Sequence, residues 1–517
     1  MRIHGSMPVA VVTALLSLGC ATTASSTIGD RPFDIRSIEH VVVIYQENWS
    51  FDSLYSQFPG ANGYAFGAAV PQTLIPQDAG PGSALMALPS PLDASGALDT
   101  ANFPGWPAAA PVKFFDLGAG TGGLPASALT GDLVHQFYAQ IGAIHGGKND
   151  RFVAWSDNPG LVLSGYDATN LPEGRLARKY TMCDNAFHST FGGSFLNHIF
   201  LVAAAAPVYG PTNAPILASA LKGQPPVITM ADPLPTPAIS PGLAGATTST
   251  AGPVPTTGND WPAILNPDET PGRRAPDGKL TTGLVDGSFY AVNTMQPPYW
   301  PFSRSGPFLP PQTMPTIGDR LTAAGLSWKW YSGGWRTAVA GKPEPTFQYH
   351  HQAFNYFARY APGTPGRTHL ADVEDLVGDL ATGSLPAVSF VKLVGASNEH
   401  PGYADLLTGQ DAVADLVAKI QASPNWKSTA IFITYDEYGG RWDHVAPPVI
   451  DSWGPGGRVP FIVISPYARR GYVDHTQHET LSILRFIEKR WGLQPLGTRD
   501  ANASDLTSAF TGTQRLD

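Results

Sequence analysis

The sequence predicts an α/β protein whose central sheet is mainly parallel, flanked by helices and interrupted by long loop-rich insertions. Short apolar runs rich in β-branched residues are followed directly by polar side chains that can bind ligands or take part in catalysis. Such runs are typical of strands buried on both faces of a parallel sheet, where ligands gather beyond the carboxyl ends. Runs with apolar residues at helical spacing follow some of them, as expected for this fold class.

Four apolar runs are predicted strands, and two later runs are predicted helices. The second helix has Leu481, Leu484 and Ile487 on one face, which is the spacing of an amphipathic helix. The predicted strands are 40–45, 387–393, 430–435 and 459–465, and the predicted helices are 411–422 and 478–491.

Two loop-rich segments separate these elements. Proline, glycine, threonine and alanine dominate residues 207–311, and a second section of loops spans 60–123. The first segment lacks the periodicity of a core of its own, so we interpret it as an insertion. Candidate site residues lie on both sides of it, and residues 25–517 are therefore predicted to form a single catalytic domain.

The composition excludes one class of partner. Charged residues make up 14% of the chain and the net charge is −9, without a dense run of lysine or arginine. Nucleic acid is therefore not expected as a partner. The hydrophobic fraction of 43%, with 12 Trp, 18 Tyr and 24 Phe, is sufficient for a substantial core.

The N-terminus has the pattern of an export signal over residues 1–24. Arg2 and His4 precede an apolar run at 8–18, and small residues follow. That run is too short to span a bilayer. Cleavage after Ala24 would give a soluble periplasmic or secreted protein, whereas cleavage before Cys20 would leave a lipid anchor on that cysteine. Both outcomes predict an exported protein.

Two pairs of polar residues directly follow predicted strands. Glu47 and Asn48 follow the run at 40–45, and Asp436 and Glu437 follow the run at 430–435. Their oxygens suit a divalent cation, and adjacent carboxylates are costly to bury without one. The alternative is a pair of ordinary turns, with Asn48 capping the next helix. Oxygen-rich ligands favour calcium, magnesium or manganese, with zinc as an alternative.

A glycine pair precedes Ser194, and an apolar, alanine-rich segment follows at 199–206. Glycines allow close approach to a ligand, and a serine at a helix start faces free backbone amides that favour an anion. Ser194 is therefore the candidate nucleophile for phosphoryl transfer. The alternative is that Ser194 only caps the helix.

Histidine placement is the remaining signal. Imidazoles can hydrogen-bond a phosphate, stabilise developing charge or protonate a leaving alkoxide. The chain has 13 histidines, so a structural role for any one of them is the simpler alternative. The candidates are His135, His350, His351 and His400.

Together these segments resemble the phosphoesterase family that includes bacterial acid phosphatases and non-specific phospholipases C. The resemblance rests on residues 47–52, 434–445 and 459–466. It implies an alkaline-phosphatase-like α/β fold, a serine nucleophile and a single divalent metal ion. The implied metal ligands are Glu47, Asn48, Asp436, Glu437 and Ser194, and Ser194 is also at the nucleophile position.

The resemblance also implies roles for the histidines. His350 and His400 are the expected catalytic residues, and His135 and His351 the expected phosphate-binding residues. The implied mechanism is attack by Ser194 on phosphorus, followed by hydrolysis of a phosphoserine by water. Protonation of the leaving group by His350 or His400 would give an acidic pH optimum if that imidazole must be charged.

Within the family, three segments are similar to the acid phosphatase branch: 147–150, 191–198 and 350–356. That branch favours small phosphate monoesters as substrates. One residue departs from the family pattern, because Trp49 stands where arginine is common. The contact made by that arginine is therefore not expected here.

The predicted function is that of an exported acid phosphatase, and two alternatives stay open. One is a phospholipase C that cleaves phospholipid head groups, and the other is a phosphate-binding protein without turnover. Membrane contact is expected only for a phospholipase or for a protein lipidated at Cys20. The physiological substrate and the oligomeric state do not follow from the sequence.

Overall fold

The computed structural model describes most of the chain. Described are Met1, Leu309, residues 32–73, 84–93, 95–118, 123–207, 294–303, 311–451 and 453–516, and the short paired strands Ala263–Leu265 and Phe289–Ala291. Apart from Met1, the predicted export segment lies outside the described residues, as do Cys20 and most of the predicted insertion at 207–311. The export, lipidation, insertion and single-domain predictions therefore stay predictions.

An eight-stranded sheet forms the centre of the fold. Its order is β8-β2-β7-β6-β1-β5-β3-β4, and all neighbours are parallel except that β7 runs antiparallel to both β6 and β2. In chain order the strands are β1 His40–Gln46, β2 Thr181–Cys183, β3 Trp328–Ser332, β4 Leu370–Ala371, β5 Val388–Lys392, β6 Thr429–Tyr435, β7 Phe461–Ile464 and β8 Tyr472–Asp474.

Helices flank the sheet and confirm the predicted class: an α/β protein with a mainly parallel central sheet. Helix α3 packs against α8 and β7, while α7 packs against β3. The helices are α1 Phe51–Tyr55, α2 Phe137–Ile144, α3 Pro172–Lys179, α4 Ser194–Ala203, α5 Ile317–Ala323, α6 Trp335–Val339, α7 Val373–Thr382, α8 Leu406–Ala422, α9 Leu481–Trp491 and α10 Thr498–Asn502.

The central strands explain the apolar runs of the sequence. β6 is buried along its whole length, and β1 is buried from Val41 onward. Val43 is aligned with Phe390 of β5 on one side and with Phe432 of β6 on the other. Because β1, β5 and β6 are parallel, their carboxyl ends meet at one edge of the sheet.

Two predicted helices begin elsewhere than expected. The helix predicted at 411–422 begins at Leu406, because the Asp405 side chain caps it by accepting from the Thr408 amide at 2.8 Å. The helix predicted at 478–491 begins at Leu481. Its expected first residues form the strand His478–Glu479, which pairs in parallel with Ala186–Phe187. Backbone pairing with a distant segment therefore overrides the local helical pattern.

Candidate functional site

The carboxyl ends of β1 and β6 bring the predicted metal ligands together. The strands stay paired up to their last residues, and the Asp436 amide donates to the Gln46 carbonyl at 3.0 Å. Glu47 and Asn48 follow β1, Asp436 and Glu437 follow β6, and all four side chains are fully buried. The four residues therefore meet at one edge of the sheet.

Several polar atoms of this cluster have no hydrogen-bond partner among the described residues. They are both amide atoms of Asn48, both carboxylate oxygens of Asp436 and Oε1 of Glu437. An unpaired buried polar group costs about 1–3 kcal/mol, and more when it is charged. A cation among these oxygens would remove that cost. The residues therefore fit one divalent metal ion, and the donor set does not decide which one.

The protonation of the carboxylates agrees with a cation site. Burial raises the pKa of Asp436 to about 7, and burial raises the pKa of Glu437 well above its usual range. Glu47 differs: burial alone would raise its pKa, but His351 and Lys392 hold it well below its usual range. A metal ion needs deprotonated ligands, so we expect its binding to release protons from Asp436 and Glu437.

Close backbone packing brings the two ligand segments together. Asn48 has φ 74°, in the left-handed region that asparagine tolerates better than most residues. A Cβ atom on Gly439 would lie 2.1 Å from the Asn48 carbonyl oxygen. Any side chain at Gly439 would therefore push the two segments apart. Asn48 does not cap α1, whose N-cap is Ser50, so that alternative is wrong.

Ser194 is the first residue of α4, and Gly193 is the N-cap. The alternative that Ser194 only caps the helix is therefore wrong. Asn197 clamps the preceding turn, because its Nδ2 donates to the carbonyls of Gly192 and Gly193 at 3.2 Å each. The Ser194 hydroxyl is close enough to Asp436 to lower the pKa of that carboxyl. Ser194 thus lies beside one predicted metal ligand, Asp436, at the positive end of α4.

His135 and His400 lie together on the Glu437 side of the site. Their ring centroids are 5.5 Å apart, and His135 Nε2 lies 3.6 Å from Glu437 Oε1. In each ring Nδ1 lies 2.6 Å from a backbone carbonyl oxygen, so Nδ1 carries a proton and Nε2 is available to the site. Burial opposes it, but Glu437 and Asp132 raise the pKa of His135 to about 10. An ionised Glu437 therefore favours the charged form of His135.

His350 and His351 lie on the Glu47 side. Their ring centroids are 4.4 Å apart, and His351 Nε2 contacts Glu47 Oε1. Burial lowers the pKa of His351 to about 4, and burial lowers the pKa of His350 well below its usual range. Both rings are therefore neutral at mild pH and can act there through hydrogen bonds rather than charge.

The sequence-based hypothesis missed two residues of the site. His198, one turn after Ser194, donates from Nδ1 to the Ser194 carbonyl at 2.7 Å, and its buried Nε2 has no partner among the described residues. The (i, i+4) spacing from Ser194 could have indicated it. Lys392, the last residue of β5, is fully buried beside Glu47. Its only sequence signal is a charged residue inside an apolar run.

A separate ionic network supports the loop after β6. Arg458 donates to Asp52 Oδ1 at 2.9 Å and to the two Asp443 oxygens at 3.1 and 3.2 Å. His444 Nδ1 lies 2.6 Å from Asp52 Oδ2. These charges pair with one another rather than with the four metal ligands. They tie the loop to α1 and so keep Asp436 in place.

Trp49, at the position where arginine is common, contacts the loop that carries His400. Its Nε1 donates to the Glu399 carbonyl at 3.0 Å. The Arg441 guanidinium lies 3.9 Å from the centroid of the Trp49 rings. Trp49 is buried, so it holds the His400 loop and does not reach towards a ligand as an arginine would.

A buried carboxyl pair, Glu399 and Glu173, anchors the same loop. The Tyr435 hydroxyl lies 2.5 Å from Glu399 Oε2 and 3.2 Å from Glu173 Oε2, while Gln46 donates to Glu399 Oε1 at 2.8 Å. Burial raises the pKa of Glu399 to about 7 and that of Glu173 well above its usual range. Glu399 is thus joined to the residues that immediately precede the metal ligands of β1 and β6.

We expect Glu399→Gln to stabilise the protein at pH 8 and to change little at pH 5. The unfolded pKa of a glutamate is about 4.3, and the folded pKa of Glu399 is raised to about 7. Wild-type stability therefore falls as pH rises between these values, and a glutamine removes the loss. Thermal unfolding at both pH values should show the midpoint rise by several degrees at pH 8 only.

Glu374→Gln is the matched control, because Glu374 is 76% exposed in α7. It should leave the midpoint unchanged at both pH values. A Glu399→Gln protein that is less stable than wild type at pH 8 would contradict the interpretation that burial raises the pKa of Glu399 beside Glu173.

Buried oxygen-bearing side chains that could hold a cation and a serine at the start of a helix thus lie at one edge of a mainly parallel sheet. The chain belongs to the Phosphoesterase family, whose model matches residues 38–494.

Several curated relatives are phospholipases C. Phospholipase C B of Mycobacterium tuberculosis is 24% identical over 93% of this chain and 79% of its own length. The non-hemolytic phospholipase C of Pseudomonas aeruginosa is 28% identical over 40% of this chain. That match spans only 34% of the relative, about a third of its length. Non-specific phospholipase C1 of Arabidopsis thaliana is 33% identical over 26% of this chain and 31% of its own length.

Solved structures show more distant likenesses. A protein in the alkaline phosphatase superfamily from Vibrio parahaemolyticus has a TM-score of 0.30 at 11% identity, covering 65% of this chain and 63% of that one. The PsFucS1 sulfatase from Pseudoalteromonas has a TM-score of 0.31 at 10% identity, covering 66% and 67%. Among the described residues, no helix combines the length and apolar character needed to cross a membrane.

Proposed function

We propose that the protein is an exported acid phosphatase that hydrolyses small phosphate monoesters through a serine nucleophile. The observation that carries this proposal is the position of Ser194, at the start of α4 and beside the Asp436 carboxylate. Glu47, Asn48, Asp436 and Glu437 would hold the metal ion. When bound, a divalent cation neutralises phosphate oxygens and favours ionisation of the serine hydroxyl.

The chain's own groups account for the remaining steps. Ser194 loses its proton to solvent, and its Oγ attacks phosphorus as the ester P–O bond breaks. The free amides at the start of α4 and the His135 cation bind the phosphate oxygens. His400 protonates the leaving alkoxide through Nε2. His400 then takes a proton from water as that water attacks the phosphoserine, and the Ser194 oxygen leaves and is reprotonated from solvent.

His400 is the better proton donor of the two candidate histidines. Burial and the neighbouring His351 lower the pKa of His350, so His350 is neutral under the conditions in which a charged donor is needed. His350 and His351 would instead bind the phosphate by hydrogen bonds.

Phospholipase C activity is the second candidate, because the curated relatives carry that name. It would use the same nucleophile and metal site on a phosphodiester, and it would require contact with a lipid surface. Lipidation at Cys20 would provide a separate reason for membrane contact. The cationic His135 and the positive end of α4 favour the more highly charged monoester.

The deciding experiment compares an aryl phosphate monoester with the matching aryl phosphocholine ester between pH 4 and pH 9. We expect kcat/KM for the monoester to exceed that for the diester by about 100-fold or more, with the maximum below pH 7. Phosphatidylcholine vesicles serve as a third substrate in the same experiment. Faster release of diacylglycerol than of phosphate would establish the phospholipase instead, and phosphate binding without turnover on any substrate would indicate a binding protein.

A further inference from the structure

Lys392 is a buried cation inside the proposed metal site. Its ammonium nitrogen lies 2.8 Å from Glu47 Oε1 and 3.6 Å from Asp436 Oδ2. It also donates to the Gln46 carbonyl at 3.4 Å. The side chain has no exposed surface, so solvent does not weaken these interactions.

We propose that Lys392 takes the place of a second metal ion, so that the site holds one divalent cation. In two-metal phosphoesterases, two ions lie about 3.5–4 Å apart. Here the ammonium lies between a carboxylate of the β1 end and a carboxylate of the β6 end. This inference rests on the metal-assisted function proposed above, although its test measures metal binding rather than turnover.

The position follows from the sheet order. β1 lies between β5 and β6, and Lys392 is the last residue of β5. Its side chain reaches across the end of β1, where the nitrogen lies 5.3 Å from the centroid of the Tyr45 ring. It thereby contacts Asp436 on the far side of β1. The sheet itself therefore fixes the ammonium.

The charges of the site balance with one divalent ion. Glu47, Asp436 and Glu437 supply three negative charges, and Lys392 supplies one positive charge. His135 lies 3.6 Å from both the Glu437 and the Asp132 carboxylates, so a proton on its ring would be matched by Asp132 and would not change this count. One divalent ion neutralises the remainder, whereas a second would leave two uncompensated positive charges in a buried site.

The groups that contact the Glu47 carboxylate also support the role of Lys392 as a second cation. Asn398 Nδ2 and the Tyr403 hydroxyl donate to Oε2 at 2.5 and 3.0 Å. Oε1 is held by the ion pair with Lys392 and by the contact with His351. Oε1 has no hydrogen-bond partner among the described residues, like the oxygens of Asp436 and Glu437 noted above, so it can face the divalent ion as well as the Lys392 ammonium.

Calorimetric titration with Mn²⁺ tests this inference on the full chain. We expect wild type to bind one ion and Lys392→Ala to bind two, because alanine leaves room for an ion between the carboxylates. Two Mn²⁺ ions about 4 Å apart should also give a spin-coupled electron paramagnetic resonance spectrum. Lys392→Arg keeps the charge and should bind one ion.

Lys329→Ala is the matched control. Lys329 lies near the start of β3, away from the carboxyl edge, and pairs with Asp379 at 2.7 Å. It should bind one ion like wild type. If Lys392→Ala does not fold by circular dichroism, Lys392→Met replaces it. That neutral variant fills the space and should bind one Mn²⁺ about tenfold more tightly or better, because a nearby positive charge is removed.

The outcomes separate this inference from the proposed function. A wild type that binds two ions overturns the role of Lys392, and so does a Lys392→Ala protein that binds one ion. If Lys392 only supports Glu47, Lys392→Met binds Mn²⁺ more weakly than wild type. A wild type that binds no Mn²⁺ overturns both proposals. One ion in wild type and two in Lys392→Ala support this inference even if phosphate monoesters are not hydrolysed.

Discussion

Ser194→Ala is expected to reduce turnover of a phosphate monoester by about 10³-fold to 10⁶-fold, the range typical of a lost nucleophile. The loss should appear in kcat, because alanine removes the oxygen that forms the phosphoserine. The free amides of α4 and the side chains of Glu47, Asn48, Asp436 and Glu437 are unchanged, so the variant should still bind Mn²⁺ and phosphate. Acid quenching with radiolabelled substrate should trap a phosphoprotein in wild type only.

Ser384→Ala is the control for this substitution. Ser384 is exposed just after α7, and its loss should leave turnover and phosphoprotein formation unchanged. If Ser194→Ala keeps more than a tenth of wild-type activity, the nucleophile is another group, and the phosphoserine mechanism is wrong.

Metal removal is expected to abolish turnover and to destabilise the protein more at pH 8 than at pH 5. Burial raises the folded pKa of Asp436 to about 7 and that of Glu437 well above its usual range. Without metal, stability is therefore lost as pH rises from the unfolded values near 4 through the folded ones. At pH 5 protons still neutralise the site, whereas at pH 8 only a cation can do so.

Thermal unfolding with and without chelator at the two pH values measures this difference. The midpoint should fall on chelation by several degrees at pH 8 and by much less at pH 5. Added Mn²⁺ should restore both the midpoint and turnover. Equal shifts at the two pH values would mean that the buried carboxylates do not hold the ion.

The sequence predicted those elements whose residues form a recognisable local pattern. The strands β1, β5 and β6 were recognisable because both faces are buried and the residues are apolar throughout. The polar residues that follow β1 and β6 indicated a candidate site, because the carboxyl ends of parallel strands lie at one edge of the sheet. Ser194 was singled out because a glycine pair before an apolar, alanine-rich segment is a recognisable pattern, and its role as nucleophile stays a prediction.

Features that depend on distant pairing were not predictable in the same way. The reversed direction of β7 follows from its pairing with β6 and β2, and its apolar run resembles those of the parallel strands. The strand His478–Glu479 follows from pairing with Ala186–Phe187. Lys392 belongs to the site only because β5 lies beside β1. No local sequence pattern indicates that β5 and β1 are adjacent in the sheet.

The reversed strand has a consequence for how the enzyme can vary. Because β7 is antiparallel to β6, the segment from Asp436 to Arg458 begins and ends at the same edge of the sheet. Hydrogen bonds from Arg458 to Asp443 join the two ends of its outer part. The exposed residues Val449 and Ile450 can be exchanged without altering the pairing of either strand, whereas Gly454 and Gly456 pack closely against Ser189 and His188. This stretch of surface can thus vary while the segment that leads to Ser194 keeps its packing.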